Sequence, residues 1–209
     1  MNILIVDDHD VIRQSLSLTI KTEFSNADCI TADTAALCIE FLKQKKFELL
    51  ILDMNLPDMD GITLTEWIMD RYPQQMILIF SMNPTAVYAR KLYQIGVMGY
   101  LNKQASMSEL KKALHMILTE KKRYMEEEFK SMLAQEFLSN KPGNPLEQLS
   151  KRELSIAQLL SAGKTNAEIS AQLNIESSTI RTYKARIFQK LEVATLHEFL
   201  AKAKLYKLT

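Results

Sequence analysis

The sequence predicts an α/β protein, a doubly wound parallel sheet of five strands, followed by a smaller all-α domain with a helix-turn-helix arrangement. Three observations predict it. Four apolar runs, Ile3-Leu4-Ile5-Val6, Leu49-Leu50-Ile51-Leu52, Met76-Ile77-Leu78-Ile79-Phe80 and Val97-Met98-Gly99-Tyr100-Leu101, read as strands buried on both faces. Stretches of helical periodicity alternate with them, which implies βα units wound around one sheet. Beyond Leu149 no strand pattern appears, and capping residues precede each of several short helical stretches.

The elements follow in order. After the first strand, Ile12, Leu16, Ile20 and Phe24 share one face and predict a helix from about residue 10 to 24. Asp28 to Thr31 reads as a short strand, Ala35, Ile39 and Leu42 mark a helix, and Phe47 to Leu52 is the central strand. Ile62, Thr65, Trp67 and Ile68 lie in the next helix, which Pro73 ends. The strand to Phe80, a helix from about Thr85 to Ile95 closed by Gly96, the strand to Leu101 and a helix from about Ser106 complete five units.

Residues Thr119 to Asn140, rich in Glu and Lys, read as helical and connecting. Pro142-Gly143-Asn144-Pro145 breaks that helix and predicts a flexible joint. The expected domains are 1–121, a helical linker over 122–145, and 146–209. In the last, Ser150 and Glu153 form a capping box ahead of Ile156, Leu159 and Leu160, and Gly163 ends that helix. Asn166 or Thr165 can cap a second helix, Ser177 or Ser178 a third that holds Ile180, Ile187 and Leu191, and a fourth follows from about Thr195.

Composition sets the frame. At 209 residues, with 47% hydrophobic and 24% charged residues, the chain is an ordinary globular protein with room for two unequal domains. The net charge of +1 hides an asymmetry. Residues 1 to 144 carry 16 Lys and Arg against 19 Asp and Glu, net −3, whereas residues 145 to 209 carry 10 against 6, net +4. The basic surplus is at the C-terminus. Cys29 and Cys38 lack any metal-ligand or CxxC spacing, so a reduced interior is expected, and no apolar run approaches membrane-spanning length; the protein is read as cytoplasmic with no membrane partner.

The chemistry stands at the strand ends. In open parallel sheets ligands gather just beyond the carboxyl ends of the strands. There the sequence places Asp7 and Asp8, then Asp53, then Ser81, and, after the last strand, Lys103. Clustered carboxylates stay ionised only with compensating cations, and an oxygen-preferring ion such as Mg2+ is the natural one. A cation, an ammonium group and a hydroxyl around one aspartate suit a phosphoryl group, so Asp53 is the expected nucleophile. His9, His115 and His197 lack partners at metal-ligand spacing, and His9 stands beside the acidic residues.

Asp7-Asp8, Asp53, Ser81, Tyr100 and Lys103, with the loop Asp53-Met54-Asn55-Leu56-Pro57-Asp58-Met59-Asp60-Gly61, resemble the receiver domain of bacterial two-component response regulators. That resemblance implies that Asp53 is phosphorylated from a sensor histidine kinase or another phosphodonor. It implies that Asp8, Asp53 and the backbone carbonyl of Asn55 ligate Mg2+, with Asp7 acting through water. Lys103 is then the counter-ion of the phosphoryl group, Ser81 donates its hydroxyl to it, and Tyr100 changes rotamer, remodelling the face of the fourth helix, last strand and last helix. Gln104 stands where many receivers have proline.

Leu149-Ser150-x-Arg152-Glu153, Gly163-Lys164-Thr165-Asn166-x-Glu168-Ile169-Ser170 and Thr179-Ile180-Arg181-Thr182-Tyr183 through Lys190-Leu191 resemble the LuxR-type DNA-binding domain. The order of the two resemblances is that of the NarL/FixJ class. They imply a transcriptional regulator of double-stranded DNA that forms a homodimer when phosphorylated. On that basis Arg181, Thr182, Lys184 and Ala185 face bases, since Arg can read guanine and Thr can meet a thymine methyl. Lys164, Thr165, Arg186 and Lys190 are assigned to phosphates. Glu176 stands where a capping serine is usual before the third helix.

Two rival readings remain. A phosphatase with an aspartate nucleophile needs a general acid two residues on, and that residue is Asn55. A constitutive DNA-binding scaffold would have no use for three carboxylates side by side.

Overall fold

A computed structural model describes residues 1–83, 85–138, 144–206 and 208. The described chain divides into two compact units, Met1–Lys130 and Ser131–Thr209. Pro142 and Gly143 of the expected joint, with Ser139, Asn140 and Lys141 before them, lie outside the described residues. Among the described residues, no helix is long and apolar enough to cross a membrane.

In the first unit strands and helices alternate as the periodicity requires: β1 (Asn2–Val6), α1 (Asp10–Glu23), β2 (Asp28–Ala32), α2 (Ala35–Gln44), β3 (Leu49–Leu52), α3 (Gly61–Arg71), β4 (Ile77–Ser81), α4 (Thr85–Ile95), β5 (Gly99–Asn102) and α5 (Met107–Leu118). The sheet is fully parallel, with order β2-β1-β3-β4-β5. β1, β3 and β4 are covered on both faces, so nearly all their side chains are apolar and buried. The order reverses between β1 and β3, where Val6 pairs with Leu52. The residues next in sequence, Asp7 and Asp53, therefore emerge at the switch point, the crevice where this topology binds ligands.

The fourth strand is shifted by one residue from expectation, Ile77–Ser81, and takes Ser81 into the sheet, where it pairs with Asn102. The last strand begins at Gly99: the Val97 N–H still bonds to the Leu92 carbonyl in the turn that leaves α4, and the Met98 N–H leads into the sheet by bonding to the Ile77 carbonyl of β4.

The connecting stretch departs further from the helix expected over Thr119 to Asn140. Its helix, α6, spans Glu127–Leu138. Before it Lys121 takes a left-handed φ of 56°, and Tyr124 lies extended beside Gly99 in a parallel bridge. The Tyr124 N–H donates to the Met98 carbonyl at 2.8 Å, and its buried side chain joins the sheet core. The cause is the outer edge of β5, whose backbone groups need partners. Gly99 permits the approach, since a Cβ there would meet Tyr124 Cβ at 3.4 Å and Leu78 at 2.9 Å.

The second unit is helical: a 3-10 turn (Pro145–Gln148), α7 (Lys151–Ser161), α8 (Asn166–Leu173), α9 (Ser177–Lys190) and α10 (Leu196–Leu205). Asn144 opens it by accepting the Leu146 N–H. Ser150 with Glu153, and Thr165 with Glu168, form reciprocal capping boxes, and Thr195 caps α10. Asn174, in the left-handed region, ends α8 and makes the tight turn before α9. The expected serine cap of α9 is replaced: Ser177 is already helical and Glu176 holds the cap position without a side-chain bond to the backbone. Ile156, Ile169, Ile180, Ile187, Leu191 and Phe199 are fully buried in one core that joins these helices.

Candidate functional site

At the carboxyl edge of the first sheet, Asp7 and Asp53 are almost wholly buried. Lys103 reaches between them from beyond β5, its ammonium 2.6 Å from Asp7 Oδ2 and 2.8 Å from Asp53 Oδ2. Its own N–H bonds to the Ser81 carbonyl at 2.9 Å, which ties the lysine to the end of β4. The other Asp53 oxygen, Oδ1, accepts the Met54 N–H at 2.7 Å. Both carboxylate oxygens are therefore fixed by the fold.

The loop after Asp53 is closed by an antiparallel bridge between Asn55 and Asp60 and by the Gly61 N–H on the Met54 carbonyl. Gly61 is required there, because a Cβ would lie 2.6 Å from Met54 Cα and 2.9 Å from the Asp53 carbonyl oxygen. Asp58 fixes the loop from outside, accepting the N–H groups of Ala35 and Ala36 at 2.9 and 2.8 Å, at the start of α2.

Asp8 is exposed beside Asp7. His9, set aside in sequence because no ligand spacing surrounds it, is drawn into the cluster by the turn after β1. Its Nδ1 lies 2.6 Å from Asp8 Oδ1 and 3.2 Å from Asp7 Oδ1. One ligand atom from each of Asp7, Asp8, His9 and Asp53 falls within 4.8 Å of all the others. Three carboxylates in so small a space fit a divalent, oxygen-preferring cation.

Ser81 is fully buried at the end of β4, and Tyr100 is fully buried on β5. The Tyr100 hydroxyl donates to the Asn83 carbonyl at 2.7 Å, in the turn that leads to α4. Burial pushes the Tyr100 hydroxyl far above its ordinary pKa, so it stays protonated. Asn83 also reaches across the site mouth, its Nδ2 3.4 Å from Asn55 Oδ1. Only the position of Asn83, two residues past Ser81, could have signalled this in the sequence.

In the second unit Ser178, Arg181, Thr182, Ala185, Arg186 and Gln189 form the exposed stripe of α9, opposite the buried Ile180 and Ile187. Lys184 is half-buried, with its ammonium 5.4 Å above the Phe188 ring. Of the four residues assigned to phosphates, Arg186 is exposed on this stripe and Lys164 is exposed and 3.9 Å from Glu168. The others have internal roles. Thr165 caps α8, and Lys190 binds the buried Glu153 carboxylate at 2.7 Å and the Gln148 carbonyl at 3.2 Å. Helix periodicity puts Lys190 near the surface, but it cannot show that Glu153 lies underneath.

Residues 3–115 match the family described as response regulator receiver domain, and residues 147–203 match bacterial regulatory proteins of the luxR family. The oxygen regulatory protein NreC of Staphylococcus carnosus is 30% identical to the chain, the alignment covering 98% of this chain and 99% of that one. The Fimbriae Z protein of Salmonella typhimurium is 29% identical over 99% of this chain and 98% of that one. Among solved structures, RcsB, as two dimers bound to two parallel DNAs, superposes with a TM-score of 0.82 at 25% identity, covering 98% of each chain.

Proposed function

The chain belongs to the response regulators that join a receiver domain to a DNA-binding domain of the luxR family, and from that premise we propose that Asp53 is its phosphoacceptor. The observation that carries this reading is the Lys103 ammonium held between two buried carboxylates at the switch point. Residues 1–121 are read as the receiver, 122–145 as the connecting segment and 146–209 as the DNA-binding domain. The protein acts in the cytoplasm, where a sensor histidine kinase or a small phosphodonor supplies the phosphoryl group.

One Asp53 carboxylate oxygen attacks phosphorus. The bond from phosphorus to the donor breaks, its electron pair leaves with the donor, and an acyl phosphate remains on Asp53. Asp8, Asp53 and the Asn55 carbonyl, with Asp7 behind them, would hold Mg2+, which would supply charge neutralisation for the phosphoryl oxygens. Lys103 moves its ammonium from the carboxylates to a phosphoryl oxygen, and Ser81 donates its hydroxyl to another. Drawing Ser81 toward the phosphoryl group strains the turn at Asn83, and Tyr100, bonded to that turn, follows. Asn55 offers no carboxylic acid where a phosphatase would need one, so the acyl phosphate decays slowly and the protein is a switch rather than a turnover enzyme.

The switched state is a homodimer, like the DNA-bound RcsB dimers. A two-fold pair places two α9 helices about one DNA turn apart. Arg181, Thr182, Lys184 and Ala185 face bases and Arg186 and Lys164 stand toward phosphates, while Lys190 is held by Glu153 and Thr165 by its cap on α8.

The test is the intact mass of the full chain after incubation with Mg2+ and acetyl phosphate, beside Asp53→Asn. A gain of one phosphoryl group that the variant lacks is expected. Equal modification of both proteins overturns the assignment, and rapid release of phosphate from small phosphomonoesters restores the phosphatase.

A further inference from the structure

We propose that Tyr93 of α4 is a positioning residue that transmits the state of the phosphoryl pocket to the segment entering α6; this deepens the switch reading above and rests on it. The phenol joins three parts of the first unit. Its oxygen accepts the Tyr100 N–H at 3.1 Å, at the outer edge of β5, and its hydroxyl donates to the Tyr124 carbonyl at 2.5 Å. Its ring stacks on Phe129 of α6, centroids 5.5 Å apart and planes 23° apart.

Backbone groups of an edge strand ordinarily pair with another strand or with water. Here one side-chain hydroxyl stands between two backbones, and the residue is buried, so water cannot replace it. Burial raises the Tyr93 pKa, which keeps the proton it donates to the Tyr124 carbonyl. The strand residue it holds is Tyr100, whose own hydroxyl is fastened to the Asn83 carbonyl. A displacement of the Asn83 turn or of α4 therefore reaches Tyr124 and Phe129 through this phenol, beside the backbone bond from the Tyr124 N–H to the Met98 carbonyl, and the link is a contiguous physical chain rather than a correlation. A purely packing role would need the ring alone; the coupling needs the hydroxyl.

Hydrogen exchange read by mass spectrometry on the full chain, with and without Mg2+ and beryllofluoride as phosphoryl mimic, separates the two. In the wild type the mimic changes exchange in both 98–103 and 120–129. In Tyr93→Phe, which keeps the ring, 120–129 exchanges roughly five-fold faster at rest, as loss of one buried hydrogen bond implies. The mimic then changes 98–103 but no longer 120–129, and acetyl phosphate still labels Asp53. An equal mimic response of 120–129 in variant and wild type overturns the coupling, as does a wild type that responds at 98–103 alone. A wild type that neither takes up label nor responds at 98–103 overturns the switch reading itself. Should Tyr93→Phe fail to fold, exchange of the wild type resolved to single amides takes its place: a mimic-induced change at the Tyr100 N–H matched by one in 120–129 supports the coupling, and a change at Tyr100 with none in 120–129 overturns it.

Discussion

The Lys103 ammonium lies 2.8 Å from Asp53 Oδ2, with only 6% and 2% of the two side chains exposed. Burial by itself would lower the lysine's pKa, but the hydrogen bonds and charges of Asp53 and Asp7 outweigh it, and the value ends above the ordinary 10.5. A lysine raised on folding adds stability that is fully present below 10.5 and is lost as pH rises through the folded value. Lys103→Ala leaves two carboxylates buried without their cation. It should cost about 3 kcal/mol at pH 7 in chemical denaturation. Added Mg2+ should restore part of that loss in the variant, and labelling of Asp53 by acetyl phosphate should fall with it.

Asp58 makes a different prediction, about the loop. Slight burial pushes its carboxyl up, but the N–H groups of Ala35 and Ala36 outweigh this and hold it below its ordinary 3.8. The stability it adds is present above 3.8 and disappears as pH falls through the lowered folded value. Asp58→Ala removes a cap from α2 and should cost about 1 kcal/mol at neutral pH. Because Asp58 also anchors the loop that carries Asn55, the variant should bind Mg2+ more weakly in a calorimetric titration. Unchanged Mg2+ affinity would show that the bridge between Asn55 and Asp60 holds the loop without this anchor.

In the second unit Lys190 and Arg186 should separate cleanly. Burial pushes Glu153 up, but Lys190 and the Ser150 cap outweigh it and hold the carboxyl below its ordinary 4.5. That stability is present above 4.5 and is lost as pH falls through the folded value, so acid should loosen α7 from α9. Lys190→Met strands the Glu153 carboxylate and should cost about 2 kcal/mol in thermal or chemical unfolding. It should leave the salt dependence of binding to double-stranded DNA nearly unchanged. Arg186→Ala should do the opposite, reducing the slope of log affinity against log salt by about 0.9 with little loss of stability. A full reduction of slope in Lys190→Met would return that lysine to the phosphate contacts.

Much of this protein was legible without coordinates. The alternation of apolar runs and helical faces determined the α/β class and the five units, because burial on both faces of a parallel sheet demands continuous apolar strands. The residues that end those runs, Asp7, Asp53 and Ser81, with Lys103 beyond the last, marked the sheet edge where the structure gathers them, and the motifs of the last sixty or so residues determined the helix-turn-helix.

Tertiary structure decided the partners. Strand order brings Asp7 next to Asp53 across Val6 and Leu52, and no local pattern encodes that pairing. Tyr124 lies in a charged stretch whose composition favours a helix, yet the open edge of β5 takes it as an extended segment. Lys190 has the composition of a DNA contact and is spent on Glu153. Periodicity reports which face of an element leaves water; only the packed chain determines what meets that face, because each buried polar group must find its partner among residues far away in sequence.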